Sequence, residues 1–402
     1  MPKSITSQTF IGILLMLLAV AGCSAALPST NHADAVSNTP TSPWGSLPWG
    51  SLDFVQYYVA LELIFEGKNP YDQELAGARQ MTHGRAWGMQ MFVPPWGMLP
   101  GLLVANLPFP WANYGNIGLN ALLLVICAAC WTKLLFPGKP RYIPIMVLAS
   151  FLWMPSLVNM EYGQNALWPL AGFTGWLWFT QRQRHAVAGW LLALTIIKPH
   201  LGLLPVVFAL VYSLRQRHWA TLATSAGGVV ALTLVTFLIR PTIWNEYLAA
   251  IQTGLSPSIF RTYTLNGMAL PYLGPTIQYV TYALLLAVIY SIVVRTWKQF
   301  KTKSSSDEQP APLVTWSMVI CMMILPFATY AWLTDFVFMV PGGIYALGQA
   351  LKKDRTALVA VCLWIVMSVW LCLPSWKESY WIVPWLGWGI TLLLLRIGKA
   401  GR

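Results

Sequence analysis

The chain has 402 residues, of which 56% are hydrophobic and only 9% charged, a composition that excludes a soluble globule with a charged surface. Its formal charge of +12 comes from Lys and Arg dispersed in short clusters between apolar segments, which is a pattern of membrane topology and excludes a nucleic-acid partner. Apolar stretches recur at close to the ~20 residues that a helix needs to cross hydrocarbon, and nothing alternates like a barrel strand, so we expect an all-α, polytopic membrane protein of roughly 11 to 13 transmembrane or re-entrant helices.

Residues 1–27 carry the first transmembrane helix, FIGILLMLLAVAG, which ends in Val20-Ala21-Gly22-Cys23, the pattern of a bacterial lipoprotein lipobox. A lone Lys3 makes a weak basic start for such a signal, and an uncleaved helix is the reading adopted. In either case residues 28–90 form a long first extracytoplasmic loop with interfacial helices. Its PWGSLPWGSL repeat at residues 43–52 places Trp44 and Trp49 where an amphipathic ring suits a membrane interface.

The loop continues as SLDFVQYYVALELIFEGKNPYDQEL, residues 51–75, and concentrates acids in a chain otherwise almost free of charge. As a helix lying along the membrane surface, residues 53–66 put Asp53, Gln56, Tyr57 and Ala60 on one stripe. Phe54, Tyr58, Leu61 and Phe65 share an adjoining apolar face. Asp53 begins this helix, so it is open to two readings, a helix cap and a chemical group. Glu62 and Glu66 lie on another face and are expected in solvent or headgroups.

Residues 91–300 form an N-terminal transmembrane block. Its opening, 91–136, reads as two crossings joined near Pro110, which leaves Lys133, Lys139 and Arg141 on the outer side against the positive-inside rule, unless a piece there is re-entrant. From Arg182 onward the clusters at Arg182 and Arg184, Arg215 and Arg217, Arg295 to Lys303, Lys352 to Arg355 and Arg396 to Arg402 all read as cytoplasmic. The turns EYGQN (161–165), Arg240 to Met268, TYAWLTD (329–335) and LPSWKES (373–379) then face outward. Between Arg184 and Arg215 the chain must go out and return, so two short helices meeting at Lys198-Pro199-His200 are expected. Residues 301–312 are a polar cytoplasmic linker, and 313–402 a C-terminal transmembrane block. The six cysteines fall in or at the ends of apolar segments, and Cys127-x-x-Cys130 reads as helix packing.

Taken in order, Asp53-Phe54, Tyr57-Tyr58, Ala60 and Gly67-x-Asn69-Pro70-Tyr71-Asp72 resemble the D-F-x-x-Y-Y-x-A … G-x-N-P-Y-D signature of glycosyltransferase family 87. The resemblance continues through Phe92-x-Pro94-Pro95, Gly163-Gln164-x-Ala166-Leu167, Ala188-Gly189, Ile197-Lys198-Pro199-His200 and Tyr330 to Asp335. It implies a GT-C-like bundle in the cell membrane with an extracytoplasmic active site. The implied activity transfers a hexose, most of all mannose, from a polyprenyl-phosphate donor to a hydroxyl of a glycolipid or glycan, with membrane lipids as surroundings and no cofactor. The family's essential acid carries over to Asp53, and Thr334 stands beside Asp335 where many members have His.

The residues themselves agree with such chemistry. A base is needed near the acceptor hydroxyl, which Asp53 supplies, and positive charge near the departing phosphate, which Lys198, His200 or Arg261 supplies. Tyr57, Tyr58, Asn69, Tyr71, Gln164 and Asp335 complete the expected substrate-binding set. The plainer readings are that Lys198 snorkels to the interface, that Glu161 and Gln164 are polar helix ends, and that Asp335 caps a helix. Scattered histidines and the lack of a D-x-D pair give no support for a metal. A flippase or transporter, and a polymerase or ligase of lipid-linked glycans, are the competing functions. The first would place ionisable groups near the midplane, and the second would lack the D-F block.

Overall fold

The computed structural model describes residues 49–86, 88–253, 264, 276–300, 312–327, 331–352, 354–371 and 389. The first helix with Cys23, Trp44, Arg261, the linker up to residue 311 and the LPSWKES turn lie outside the described residues. Within them the chain forms fifteen α-helices and three 3-10 segments, with no strand. Among the described residues Phe109–Leu135, Trp219–Ile239 and Tyr279–Gln299 are long and apolar enough to cross a bilayer, and the pair Tyr142–Leu152 and Met154–Tyr162, bent by 61° at its break, meets the same measure only when taken together, as one broken span or a re-entrant loop. This is an all-α polytopic membrane protein. Shorter apolar helices such as Pro199–Arg215 fill the bundle between the spans.

Helix α1 (Phe54–Phe65) departs from the surface helix expected. Phe54 to Leu61, Leu63 and Ile64 are all buried, because the chain on either side closes over it. Helix α2 (Gln73–Thr82), capped by the Asp72 carboxylate on the Leu75 N–H at 3.0 Å, is tied back to α1. Arg79 meets Glu66 at 2.8 and 3.0 Å and Glu62 at 3.9 Å, and His83 Nε2 lies 2.9 Å from Glu62, so these two acids share a cation rather than being simply solvated. On the other side run α3 (Pro95–Met98) and a 3-10 turn, Leu99–Leu103. The Leu107 carbonyl accepts from Tyr58 Oη at 2.9 Å and the Val93 carbonyl from Tyr71 Oη at 2.8 Å.

Residues 91–108 are therefore not a crossing. The one crossing in 91–136 is α4 (Phe109–Leu135), with Pro110 in its first turn, and this removes the conflict over Lys133, Lys139 and Arg141. With 27 residues, α4 is about 40 Å long. At its start Asn113 and Asn116 donate to the Trp49 and Gly163 carbonyls at 2.8 and 3.2 Å. At its end Lys133 and Arg182 both lie over the Trp178 ring, and Lys352 over Phe136. One end of the bundle thus gathers Lys133, Arg182 and Lys352, and a single crossing places the long loop at the other.

After α4 come α5 (Tyr142–Leu152), α6 (Met154–Tyr162) and α7 (Leu167–Thr180). Then α8 (His185–Ala193) runs through a 3-10 turn, Leu194–Ile197, to the break at Lys198, and α9 (Pro199–Arg215) returns with Pro199 at its first position. The return is complete, since the His185 ring stacks 3.8 Å from that of His218, just before α10 (Trp219–Ile239). The remaining elements are α11 (Ile243–Thr253), α12 (Thr276–Gln299), α13 (Pro312–Phe327), a 3-10 segment (Leu333–Met339), α14 (Val340–Ala350) and α15 (Arg355–Leu371).

Two apolar clusters hold these elements together. The larger contains Trp131, Trp153, Trp176, Phe173, Phe208 and Phe336; the smaller surrounds α1 and includes Met91, Met98, Phe109 and Ile243. Cys127 is a free thiol buried in the larger one, as helix packing requires.

Candidate active site

Where the two clusters meet, polar side chains from four separate segments converge. Asp53 occupies the position before α1, yet its side chain makes no capping hydrogen bond to that helix. Its backbone N–H donates to the Tyr162 carbonyl at 2.7 Å, which fixes the start of α1 against the end of α6. The carboxylate instead accepts from side-chain amides, Gln56 Nε2 on Oδ1 at 3.1 Å and Gln164 Nε2 on Oδ2 at 2.5 Å. The cap reading of Asp53 is thereby displaced: a cap accepts a backbone N–H of its own helix, and this carboxylate accepts side-chain amides instead, one from Gln56 in α1 and one from a residue 111 positions away.

Gln164 reaches this place through a turn that only glycine can make. Gly163 ends α6 with φ +66°, and a Cβ there would collide with the Gly50 carbonyl and with Phe54. The next residue, Asn165, donates to the Gly97 carbonyl at 2.7 Å. Between these anchors Gln164 is buried, and its Oε1 accepts from Tyr57 Oη at 3.1 Å and from Lys198 Nζ at 3.0 Å.

Lys198 stands at the break between α8 and α9. Its ammonium, on a side chain 12% exposed, pairs with Asp335 Oδ1 at 2.5 Å, so it points inward and does not snorkel. Asp335, fully buried in the 3-10 segment before α14, also accepts the Trp332 N–H at 2.9 Å and lies 3.6 Å from His200 Nε2. It caps its segment, as the plainer reading has it, and holds the lysine as well. Asn159 and Trp153 brace this segment from below by donating to the Thr334 and Phe336 carbonyls.

The two acids differ in their electrostatics. Burial pushes the Asp53 carboxyl up, and the Gln164 hydrogen bond and the charges of Arg85 and Lys198 only partly offset it, with Asp335 adding to the push. Burial also presses on Asp335, but the adjacent Lys198 ammonium and the His200 contact outweigh it and hold that carboxyl well below the usual carboxylate range. The site thus contains one anion balanced by a cation and one carboxylate poised nearer to neutrality.

Of the residues expected from the sequence, Asp53, Tyr57, Gln164, Lys198, His200 and Asp335 come together here. Tyr58, Asn69 and Tyr71 do not. The Tyr58 and Tyr71 hydroxyls bond backbone carbonyls, and Asn69 Oδ1 accepts the Tyr71 N–H at 2.9 Å, so these three shape the loop around α1. Arg85 was missed. It is 3% exposed, in the segment after α2, with Nη2 at 2.5 Å from Met89 Sδ, and its charge acts on Asp53. Its one visible signal is an arginine in an otherwise apolar GRAWGMQM run. Among the described residues no group of three or more His, Cys, Asp and Glu converges.

A family model described as Glycosyltransferase family 87 matches residues 93–326, more than half of the chain. The match contains Gln164, Lys198 and His200, while Asp53 and Asp335 lie to either side of it and join them through the fold. No curated protein matches the chain.

Proposed function

The chain belongs to glycosyltransferase family 87, and from that premise we propose that it transfers a hexose, mannose foremost, from a polyprenyl-phosphate donor to a hydroxyl of a glycolipid or glycan acceptor. The observation that carries this reading is the polar line Asp53–Gln164–Lys198–Asp335, a partly buried carboxylate and a partly buried ammonium set one amide apart within the helical bundle. The acceptor oxygen attacks the anomeric carbon as Asp53 takes the hydroxyl proton. The bond from that carbon to the phosphate oxygen breaks, and its electron pair leaves with the polyprenyl phosphate. Lys198, held by Asp335, is the cation assigned to the departing phosphate, with the Arg85 charge also acting on Asp53. No cofactor enters these steps.

The basic end of the bundle, with Lys133, Arg182 and Lys352, takes the cytoplasmic side by the positive-inside rule. The candidate site is then extracytoplasmic, in the plasma membrane, where a donor that cannot leave the bilayer is presented to it. The test incubates purified protein in detergent with polyprenyl-phosphate mannose, polyprenyl-phosphate glucose and membrane lipid extract, followed by mass spectrometry. A product heavier by one hexose, formed from the mannosyl donor first, is the expected result; no hexose transfer from either donor refutes the reading.

A further inference from the structure

The side chain of Gln164 has two ends that are not interchangeable. Its Oε1 faces Lys198 Nζ at 3.0 Å, and an ammonium can only donate; its Nε2 faces Asp53 Oδ2 at 2.5 Å, and a carboxylate can only accept. Tyr57 Oη, 3.1 Å from Oε1, can do either and so does not decide the matter. Turning the amide over would set N–H against the ammonium and carbonyl oxygen against the carboxylate, two repulsive contacts in a buried place. The Gly163 turn, the Asn116 bond to the Gly163 carbonyl and the Asn165 bond to Gly97 prevent the backbone from moving to relieve them.

We propose that Gln164 is a positioning residue for Asp53: its amide, oriented by Lys198, donates to the carboxylate and aims it, so that the cation end of the site is coupled through one side chain to the base at the other end. This rests on the transferase reading for its purpose, though not for its geometry. Gln56 Nε2 fixes the other oxygen at 3.1 Å, leaving each oxygen with lone-pair directions open to an acceptor hydroxyl. The charged groups acting on Asp53 are Arg85 from the segment after α2, Lys198 from the α8–α9 break and Asp335 from the 3-10 segment. Of these only Lys198 is joined to Asp53 through the Gln164 amide. A substrate-binding glutamine would affect donor affinity; a positioning glutamine affects the titration of Asp53 itself.

The experiment measures that titration without requiring turnover. Dicyclohexylcarbodiimide modifies protonated buried carboxyls, so the extent of Asp53 labelling against pH, read on its peptide by mass spectrometry, gives a midpoint. In Gln164→Met, which keeps the length and loses the amide, the midpoint rises by about one pH unit or more, the effect of removing one hydrogen bond to a charged acceptor. Gln164→Glu keeps the contact with Lys198 and replaces the donor with an acceptor, and its midpoint rises as well. That variant carries the test alone if the methionine variant does not fold. An unmoved midpoint in either folded variant overturns the proposal. In parallel, kcat/KM for transfer from polyprenyl-phosphate mannose should show its acid limb shifted in the same direction, with activity recovering at high pH. Failure of the unmodified protein to transfer from that donor counts against the transferase reading, while the labelling midpoint still decides the role of Gln164.

Discussion

At Asp53 the cost of burying a carboxylate is met by two neutral amides, whereas at Asp335 an ammonium meets it directly. Because the Asp53 carboxyl is raised by burial from its ordinary 3.8, a base at this position ionises later than a solvent-exposed aspartate. Transfer should therefore fall as pH is lowered through a midpoint above that ordinary value; a pH–rate profile whose acid limb lies at or below it contradicts the base assignment. Lys198→Met should lower turnover by roughly 100-fold, the loss of one preorganised electrostatic group. It should also destabilise the fold by about 3 kcal/mol, because fully buried Asp335 loses its cation. Adding Asp335→Asn should restore thermal stability and leave turnover low, a separation that melting curves and rates on the same samples can check. The sequence showed these residues because each sits at an interruption of an apolar run, as Lys198 does before Pro199 and Gln164 after Gly163. It did not show Arg85, which is buried where residues 84–89 fold back on α2, with Gln80 bonding both the N–H and the carbonyl of Met89, a reversal with no periodic signature. The folding of residues 91–108 over α1 turned Tyr58 and Tyr71 toward backbone carbonyls.

Among the elements, the turn that ends α6 has the greatest leverage, for it joins three helices to the site within three residues. Gly163→Ala places a Cβ at positive φ and against the Gly50 carbonyl. It should lower both melting temperature and activity by displacing Gln164. Gly118→Ala, on the exposed face of α4 with nothing within 4 Å of the new Cβ, should instead stabilise by about 0.5–1 kcal/mol. Equal effects of the two substitutions would show that the Gly163 turn is not under the constraint described. The broken α8–α9 hairpin was legible because proline and charge alternation demanded a return. Residues 91–108 were not, because hydropathy alone does not distinguish a crossing from an apolar lid, and Pro94, Pro95, Pro100 and Pro108 punctuate the segment without saying which way it turns.

Across the described residues, the single crossing by α4 makes the charge distribution coherent, with Lys133, Arg182 and Lys352 at one end and the Asp53–Asp335 line toward the other. In a background without the six native cysteines, Glu74→Cys in α2 should react with an impermeant thiol reagent on intact cells, and Arg217→Cys only after the membrane is opened. Labelling in the reverse order would invert the proposed topology. Composition sufficed for the fold class, since so few charged residues leave no alternative to a membrane bundle; which polar residues meet inside it required the fold. The account rests finally on Asp53, and the most direct measurement is hexose transfer from polyprenyl-phosphate mannose by purified Asp53→Asn beside the unmodified protein. Asparagine keeps an oxygen for the Gln164 N–H and loses the basicity, so the variant should fold with a near-normal melting temperature and transfer no detectable sugar. Substantial turnover by that folded variant would contradict the account.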